Sequence, residues 1–289
     1  MRVLSPAKIN LFLNVTGKRS DGYHEIFSLM SCIDLCDVMT FDFGSPDISV
    51  RCDSPQVPDN ENNLAYKAAC LFYDALPRGF EDGRERARHR GVRIFIEKHI
   101  PVAAGLGGGS SNAGQTLLHL NEFYGHPFTS RQMHRMALAI GADVPFFLHG
   151  KPAIATGIGE SLETYHGLSS LSMVLVCPDI AVSTAEVYKN LNLGLTKCEK
   201  QLKNFSFKTP KFDVKKHLCN DLETVTTSQY PVITDIKEEL IETGADAALM
   251  TGSGPAVFGI YSDTSRAIRA CDLLSAHDEW RLFTTETLN

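Results

Sequence analysis

The sequence predicts an α+β protein, and three observations support that prediction. Ala7–Val15 and Val92–Glu97 alternate as strands do, with Ile9, Leu11, Leu13 and Val15 on one face of the first and Val92, Ile94 and Ile96 on one face of the second. Other segments, such as Asn62–Leu76, are typical of helices. Strands and helices mix along the chain without the regular alternation of a doubly wound sheet, which favours the α+β class.

In the first half of the chain the predicted elements lead to a glycine-rich segment. Arg19–Gly22 is typical of a turn, and Arg78–Gly91, dense in Arg, Glu and Gly, of an exposed loop. The second strand then enters the glycine-rich segment, and we expect a helix over about Ser111–Tyr124. Thr129–Gln132 fits a capping box that opens a further helix, which Gly141 should end as a left-handed C-cap.

The pattern restarts beyond about residue 155, which predicts two domains, 1–155 and 156–289. A chain of 289 residues has room for two domains of ordinary size, and 43% hydrophobic and 21% charged residues are enough to form real cores. The expected elements of the second domain are the strands Ser172–Cys177, Ala247–Met250 and Ala256–Tyr261, and helices capped by Ser183 and over Val232–Thr243 and Ser265–Ala276.

Composition argues against several classes of partner. The formal net charge is -6, and the lysines between Lys197 and Lys216 are interrupted by acidic and polar residues, so neither nucleic acid nor an acidic membrane is expected. No window approaches the ~20 apolar residues of a membrane span, and no signal peptide is predicted. The eight cysteines form no C-x-x-C pair and the ten histidines show no metal-ligand spacing. We expect a cytoplasmic protein with reduced thiols and no structural metal.

Residues 101–113 read Pro-Val-Ala-Ala-Gly-Leu-Gly-Gly-Gly-Ser-Ser-Asn-Ala, between a strand and an amphipathic helix. The four glycines from Gly105 to Gly109 allow the backbone to approach a ligand and to take positive φ. The N–H groups of the first helical turn suit a phosphate chain, and Ser110 and Ser111 add hydroxyl donors or a candidate magnesium ligand. A flexible turn is the alternative, but four glycines within five positions exceed what a helix cap needs. The sequence therefore predicts phosphate binding.

Two familiar phosphate-binding loops do not fit this segment. It lacks the G-x-x-x-x-G-K-[ST] pattern of a Walker A loop. It matches G-x-G-x-x-G only loosely, and no β-α-β unit with an acidic residue ~20 positions on follows, as a dinucleotide-binding fold requires.

Together with two other segments, the loop resembles the three motifs of the GHMP kinases. Ser5–Leu11 resembles their first motif, the glycine loop the second, and Thr251–Pro255 the third, in the same order and across most of the chain. The resemblance implies an ATP-binding N-terminal domain, 1–155, similar to the second domain of ribosomal protein S5. It also implies a ferredoxin-like C-terminal domain, 156–289.

Further segments resemble one branch of that family, namely Pro6–Leu11, Asp21–His24, Gly141–Phe146 and Asn220–Glu223. That branch acts on 4-diphosphocytidyl-2-C-methyl-D-erythritol in the non-mevalonate isoprenoid pathway. The resemblance implies ATP-dependent phosphorylation of the 2-hydroxyl with release of ADP, and Mg2+ is expected with the ATP. The sequence departs from the family at Asn112, where many relatives carry Asp at what we take for a capping position, and in a longer charged segment, Arg78–Arg90, whose role the sequence does not indicate.

Phosphoryl transfer needs an aligned acceptor oxygen, charge stabilisation and often a carboxylate near the acceptor proton. Asp143 follows a predicted helix end in an apolar stretch, where burial can raise its basicity, although an N-cap role fits equally well. Lys8 offers a cation, although a lysine on a strand can also extend into solvent. The resemblance implies that Lys8 and Asp143 are the catalytic pair, with Lys8 orienting Asp143 and stabilising the acceptor oxygen and γ-phosphate.

The resemblance also implies two binding regions. The first is a cytidine pocket that contains Tyr23 and His24, with Thr184 and Tyr188 beside it. An aromatic ring can stack on a pyrimidine, and a histidine can form a hydrogen bond with the edge of that base. The alternative for Tyr188 is a structural role, because a single tyrosine on a helix is usually a half-buried core residue. The full substrate set is Asn10, Tyr23, His24, Thr184 and Tyr188. The ATP-binding set is Pro101, Val102, Ala103, Ala104, Gly105, Leu106, Gly107, Gly108, Gly109, Ser110 and Ser111, with Asn62 and Lys98 near the adenine.

Three other functions remain open at this point. Another GHMP kinase could act on a sugar, homoserine or an isoprenoid intermediate, but it would have no reason to carry Asp21–His24. A catalytically silent nucleotide sensor would not need Lys8 and Asp143. A glycine-loop oxidoreductase lacks its acidic ribose-binding partner. We expect a small-molecule substrate carrying a cytidine diphosphate group, and a monomer or weak homodimer.

Overall fold

The computed structural model describes residues 1–77, 90–202 and 211–288. Nearly all of the predicted exposed loop Arg78–Gly91, and part of the lysine-containing segment 197–216, lie outside the described residues. The chain forms two compact units that do not follow sequence order. Unit 1 comprises Met1–Ala7, Cys36–Val102 and Gly107–Gly150, and unit 2 comprises Lys8–Leu35, Ala103–Leu106 and Lys151–Asn289. The division at residue 155 stays a prediction.

The described residues contain the following elements. The strands are β1 (Arg2–Lys18), β2 (His24–Phe43), β3 (Ser49–Cys52), β4 (Val92–Glu97), β5 (Ala153–Thr156), β6 (Ser161–Thr164), β7 (Ser172–Pro178), β8 (Cys219–Asn220), β9 (Ala247–Met250), β10 (Val257–Tyr261) and β11 (Trp280–Glu286). The helices are α1 (Leu64–Ala75), α2 (Gly108–Phe123), α3 (Ser130–Ile140), α4 (Val144–His149), α5 (Thr184–Asn190), α6 (Cys198–Leu202), α7 (Val214–His217), α8 (Glu223–Gln229), α9 (Val232–Glu242) and α10 (Thr264–Leu274).

Unit 1 is built from a small sheet with helices packed on it. The end of β2 pairs antiparallel with β4, and β3 pairs parallel with β4. Apolar residues of β2, β3 and β4 form one core with the buried sides of α1, α2 and α3, in which Phe72, Leu117 and Tyr124 are fully buried. This core includes Ile96 near the end of β4 and Ala113 in α2, the two elements that flank the glycine loop.

Unit 2 has a ferredoxin-like core. In chain order β7, α9, β9, β10, α10 and β11 give the β-α-β-β-α-β pattern, and their sheet has the order β11-β7-β10-β9 with every neighbouring pair antiparallel. Buried residues of α9 and α10, such as Ile236 and Ala267, join those of the sheet in one core. This confirms the ferredoxin-like prediction. Strands β1 and β8 pair in parallel in the same unit.

Most predicted elements are present, with corrected bounds. The first strand is longer than predicted, and Thr129 and Gln132 form the predicted capping box of α3. Gly141 does end α3, but its φ of 176° is extended backbone, so the predicted left-handed cap is wrong. Helix α2 begins at Gly108, three residues before the predicted start. No helix in the described part of the chain is long and apolar enough to cross a membrane.

Candidate active site

In unit 1, a buried carboxylate fixes the residues that enter the glycine loop. Asp37 on β2 is fully buried, and its oxygens accept hydrogen bonds from Nζ of Lys98 at 2.7 and 2.9 Å and from the backbone N–H groups of His99 and Ile100 at 2.9 and 2.8 Å. Nζ of Lys98 also lies 2.6 Å from the carbonyl oxygen of Ile100. Charge pairing and three donors offset the cost of burying this carboxylate. The predicted contact of Lys98 with adenine stays a prediction.

The start of α2 is a helix N-terminus that no side chain caps. The N-cap residue is Gly107, in the left-handed conformation with φ of 69°. Of the four loop glycines, Gly105 and Gly107 have positive φ, whereas Gly108 and Gly109 are helical, so the expectation of positive φ is wrong for the latter pair. The first-turn N–H groups and the helix dipole give this terminus the chemistry of a phosphate site.

The second turn of α2 is tied to β1. Oγ of Ser5 donates to Oγ of Ser111, 2.8 Å away, or to Oδ1 of Asn112, 2.7 Å away. All three side chains are buried. Asn112 is thus an interior residue of the helix rather than the capping residue that the sequence analysis assumed.

The start of α1 lies beside the start of α2. Asn63 caps α1 by accepting a 2.9 Å hydrogen bond from the N–H of Ala65. A Cβ atom added to Gly109 would lie 3.5 Å from Cδ1 of Leu64. Asn62 is exposed and directly precedes this contact. The proposed role of Asn62 near the adenine remains a prediction.

Asp143 precedes α4, and it does not cap that helix. The residue occupies the N-cap position with φ of -82° and ψ of -16°, yet its side chain makes no capping hydrogen bond. Helix α4 packs directly on α2: a Cβ added to Gly114 would lie 2.9 Å from Cβ of Phe147. Of the two roles considered for Asp143, the N-cap role is therefore not the one its side chain plays.

In unit 2, Lys8 is buried rather than extended into solvent. Its Nζ donates to Oδ1 of Asn10 at 2.7 Å, and both side chains are almost fully buried. Nδ2 of Asn10 donates in turn to Oγ of Ser28 at 2.8 Å, and that hydroxyl donates to the carbonyl oxygen of Phe12 at 2.6 Å. The backbone N–H of Lys8 donates to the carbonyl oxygen of Leu106 in the glycine loop. This chain of hydrogen bonds orients the ammonium group.

The loop Thr251–Pro255 packs on these residues within unit 2. Oγ1 of Thr251 accepts a hydrogen bond from the backbone N–H of Asn10 at 2.9 Å. Gly105 has φ of 77°, and a Cβ there would lie 2.7 Å from the carbonyl oxygen of Thr251. Glycine is therefore required at residue 105 both by conformation and by the close approach of the two loops.

Two of the residues predicted to form a cytidine pocket are in contact in unit 2, and the pocket itself stays a prediction. The ring of His24 stacks on that of Tyr188, with centroids 5.2 Å apart and an interplanar angle of 28°. Thr184 lies one helical turn before Tyr188 on the same face of α5, and its hydroxyl is 2.7 Å from that of Ser253. Tyr23 as a residue is 58% exposed, whereas His24 is buried. The described ring contacts thus pair His24, rather than Tyr23, with Tyr188.

Comparison with known proteins places these features in a family. Family models match at residues 63–151, the GHMP kinases N terminal domain, and at residues 202–278, the GHMP kinases C terminal domain. The 4-diphosphocytidyl-2-C-methyl-D-erythritol kinase of Syntrophotalea carbinolica is 43% identical over 287 residues, covering 99% of this chain and 98% of that protein. The chain belongs to this kinase family. The kinase of the same name from Syntrophus aciditrophicus is 39% identical and covers both chains fully.

Solved structures agree with this family. The crystal structure of a 4-(cytidine 5'-diphospho)-2C-methyl-D-erythritol kinase matches the whole chain over its own whole length, with a TM-score of 0.78 and 32% identity. Homoserine kinase from Cytophaga hutchinsonii gives a TM-score of 0.73 at 16% identity, covering 100% of this chain and 94% of its own, which shows a shared fold alone. The predicted α+β GHMP kinase fold is confirmed.

Sequence reasoning about this kinase missed the residues that hold others in place. Asp37 and Ser28 are buried polar residues of β2, and the sequence around them carries no motif. Both were recognisable only as polar positions in an apolar strand. Asn220, by contrast, lay in a segment already recognised as a motif, but that resemblance assigned it no role.

Proposed function

We propose that this protein is an ATP-dependent kinase that phosphorylates the 2-hydroxyl of 4-diphosphocytidyl-2-C-methyl-D-erythritol, giving the 2-phosphate and ADP in non-mevalonate isoprenoid precursor biosynthesis. The observation that carries the proposal is 43% identity with a kinase of that name over essentially the full length of both chains. The uncapped start of α2 and the buried Lys8 ammonium supply a phosphate site and a fixed cation of the kind that phosphoryl transfer uses.

In this proposal the acceptor oxygen attacks the γ-phosphorus of ATP. A new P–O bond forms, the bond to the bridging β–γ oxygen breaks, and that oxygen leaves with ADP. Asp143 accepts the proton of the 2-hydroxyl, and Lys8 stabilises negative charge on the acceptor and γ-phosphoryl oxygens. Support for these roles comes from the family resemblance and from the hydrogen-bond chain that orients Lys8.

Mg2+ enters this proposal together with ATP. The described residues contain no cluster of three or more His, Cys, Asp or Glu arranged to hold a metal ion. Mg2+ commonly keeps several waters and binds through substrate phosphates, so a dedicated protein cage is not required. When bound, it neutralises charge on the β- and γ-phosphates. Ser110 on the first turn of α2 is the hydroxyl we assign to it, because Ser111 is already bonded to Ser5.

We assign the cytosine to the region of His24 and Tyr188. The stacked pair offers an aromatic face and an imidazole edge, which suit a pyrimidine. Truncation of Tyr188 to Ala should weaken substrate binding by about 1–3 kcal/mol, as for other base-stacking aromatics, and leave the KM for ATP unchanged. The matched change is Tyr23→Ala. Calorimetry measures the affinity of both variants for the intact substrate. A larger loss of affinity in Tyr23→Ala than in Tyr188→Ala would assign the stacking role to Tyr23.

A product assay tests the function itself. The purified protein is given ATP and, in separate reactions, 4-diphosphocytidyl-2-C-methyl-D-erythritol, free methylerythritol, homoserine and mevalonate. We expect ADP and the 2-phosphate from the first acceptor only. Equal turnover of free methylerythritol would disprove the cytidine pocket while leaving a GHMP kinase, and ATP binding without any product would favour the silent sensor.

A further inference from the structure

The segment Asn220–Glu223 has no role in the proposed reaction, yet it holds the loop beside Lys8. Nδ2 of Asn220, a buried side chain, donates to the carbonyl oxygens of Met250 at 2.8 Å and Gly252 at 2.7 Å. Its Oδ1 accepts a 3.0 Å hydrogen bond from the N–H of Leu222, which sets the direction of the amide. One side chain therefore bridges the last residue of β9 and the middle of the Thr251–Pro255 loop.

Glu223 and Thr226, which follow Asn220 in the sequence, make further hydrogen bonds to the same stretch of backbone. Oε1 of Glu223 accepts from the N–H of Met250 at 2.9 Å, and its Oε2 is paired with Nζ of Lys237 at 2.7 Å. Oγ1 of Thr226, also fully buried, donates to the carbonyl oxygen of Ser253, 3.1 Å away, or to that of Leu222, 3.3 Å away. Residues 250, 252 and 253 are thus each hydrogen-bonded to side chains of β8 or α8.

The opposite side of the same loop faces the catalytic lysine. A Cβ atom on Gly252 would lie 3.5 Å from Nζ of Lys8, 3.6 Å from Oδ1 of Asn10 and 3.3 Å from the carbonyl oxygen of Gly105. A side chain at residue 252 would therefore contact the ammonium group and its hydrogen-bond acceptor, so the loop passes close to both. A shift of this loop by even an ångström would change the space in which the ammonium is held.

We infer that Asn220 and Thr226 are positioning residues of this kinase: they hold Thr251–Gly254 against Lys8 and so fix the orientation of its ammonium group. The inference rests on the proposed function, because it assigns these residues an effect on the transfer step through Lys8. Neither side chain needs to contact a substrate. Their removal should lower kcat and leave the KM values for ATP and the acceptor close to those of the parent.

The first test compares Asn220→Ala with Asn121→Ala. Asn121 is a matched control, a buried asparagine whose amide bonds both the N–H and the carbonyl oxygen of Phe128 in the turn after α2. We expect Asn220→Ala to lower kcat about tenfold or more, the loss expected when a geometry-setting hydrogen bond is removed. Asn121→Ala should keep parental kcat despite a comparable fall in Tm. Equal kcat in the two variants would overturn the inference.

A second pair serves if Asn220→Ala does not fold. Thr226→Val removes the hydroxyl at nearly constant volume, and Thr227→Val, the next residue of α8, removes a hydroxyl bonded only to the helix carbonyl of Glu223. We expect kcat to fall in Thr226→Val alone. Parental kcat in Thr226→Val would count against the inference as directly as the first test.

The decisive measurement combines Asn220→Ala and Thr226→Val, each separately, with Lys8→Ala. If Asn220 and Thr226 act through Lys8, their effect on kcat should largely vanish there, because residues that act as a unit are not additive. A fall of the same factor in both backgrounds would reduce them to structural residues. All variants are assayed with the acceptor that the parent enzyme prefers in the product assay. An error in the proposed substrate would therefore appear in the parent enzyme, and an error in this inference would appear only in the variants.

Discussion

At the scale of single residues, the structure shows how a lysine side chain is accommodated in the interior. Removing an ammonium from water is costly unless hydrogen bonds replace its hydration. Lys8 is only 4% exposed, and Asn10 supplies an amide oxygen whose direction is set by Ser28. An ammonium held in this way reacts to a developing negative charge without first having to reorganise.

The first prediction concerns the proposed catalytic pair. Asp143→Asn should lower kcat roughly 10²–10⁴-fold, because an amide cannot accept the acceptor proton. Lys8→Ala should lose a comparable factor, and the double variant should lose less than the product of the two. Steady-state kinetics give kcat, and ATP binding is followed by calorimetry. The control is Asp74→Asn, an exposed carboxylate on α1. Near-parental kcat in Asp143→Asn would remove the carboxylate from the chemistry.

The second prediction follows from the burial of His24. Burial, with a smaller contribution from Lys18, holds the pKa of His24 below its usual value. Below about pH 6.5 the unfolded chain therefore binds a proton that the folded chain does not, so the free energy of unfolding should fall as the pH is lowered. Urea denaturation between pH 7.5 and 5 should show a shallower dependence for His24→Gln than for the parent. His134→Gln is the control, and an equal slope in His24→Gln would contradict the prediction.

At the scale of elements, the glycine loop and the start of α2 form one feature. The helix begins inside the glycine run, so Gly108 and Gly109 serve as helical residues that keep side chains away from its N-terminus. A Cβ on Gly108 would lie 3.0 Å from Nζ of Lys98 and 3.1 Å from Cγ2 of Ile100. Gly108 thus lies beside Lys98 and Ile100, two of the residues that are hydrogen-bonded to Asp37.

The third prediction compares alanine at these two helical glycines. Gly108→Ala should disturb the Lys98–Asp37 ion pair, and we expect a raised KM for ATP together with lower stability. At Gly109 a Cβ meets only ordinary contact with Leu64, so Gly109→Ala should stabilise the protein by up to about 1 kcal/mol through reduced freedom of the unfolded chain. Thermal unfolding and the KM for ATP are measured on both. Equal stability of the two variants would show that the contact with Lys98 has no effect.

At the scale of the whole molecule, residues distant in sequence are joined by buried polar groups. Asp221 is 1% exposed, and its carboxylate accepts hydrogen bonds from the N–H groups of Val15 at 2.9 Å, Lys197 at 3.0 Å and Cys198 at 3.1 Å. These donors lie on β1 and at the start of α6. The motif that contains Asp221 therefore joins three stretches of unit 2 that are far apart along the chain.

The fourth prediction contrasts this buried carboxylate with an exposed one. Asp221→Ala leaves three backbone donors without their acceptor and should lower the free energy of unfolding by more than about 2 kcal/mol. Asp246→Ala removes a surface pair with Lys215 and should cost at most about 1 kcal/mol. Urea denaturation of both variants measures the difference. A cost below 1 kcal/mol for Asp221→Ala would mean that other acceptors replace the carboxylate.

Local sequence patterns were sufficient to predict most of the helices and strands and to recognise the family. Alternation along β1 and β4 and the capping box at Thr129 are properties of neighbouring residues, and each predicted its element. The glycine run predicted positive φ correctly only at Gly105 and Gly107. The bounds of α2 were wrong because glycine is a poor helix former. Gly108 and Gly109 lie close to Ile100, which follows β4, and to Leu64 of α1, and local propensity takes no account of such neighbours.

By itself the sequence determined the α+β class and, through its motifs, the kinase family, and it predicted that the glycine loop binds phosphate. Only the tertiary structure decided that the Lys8 ammonium is buried on Asn10, that His24 pairs with Tyr188, and that Asn220 holds the loop beside Lys8. Each of these contacts except the first joins residues more than 25 positions apart. Hydrogen-bond partners at such separations depend on how strands and helices pack, and no local spacing encodes them.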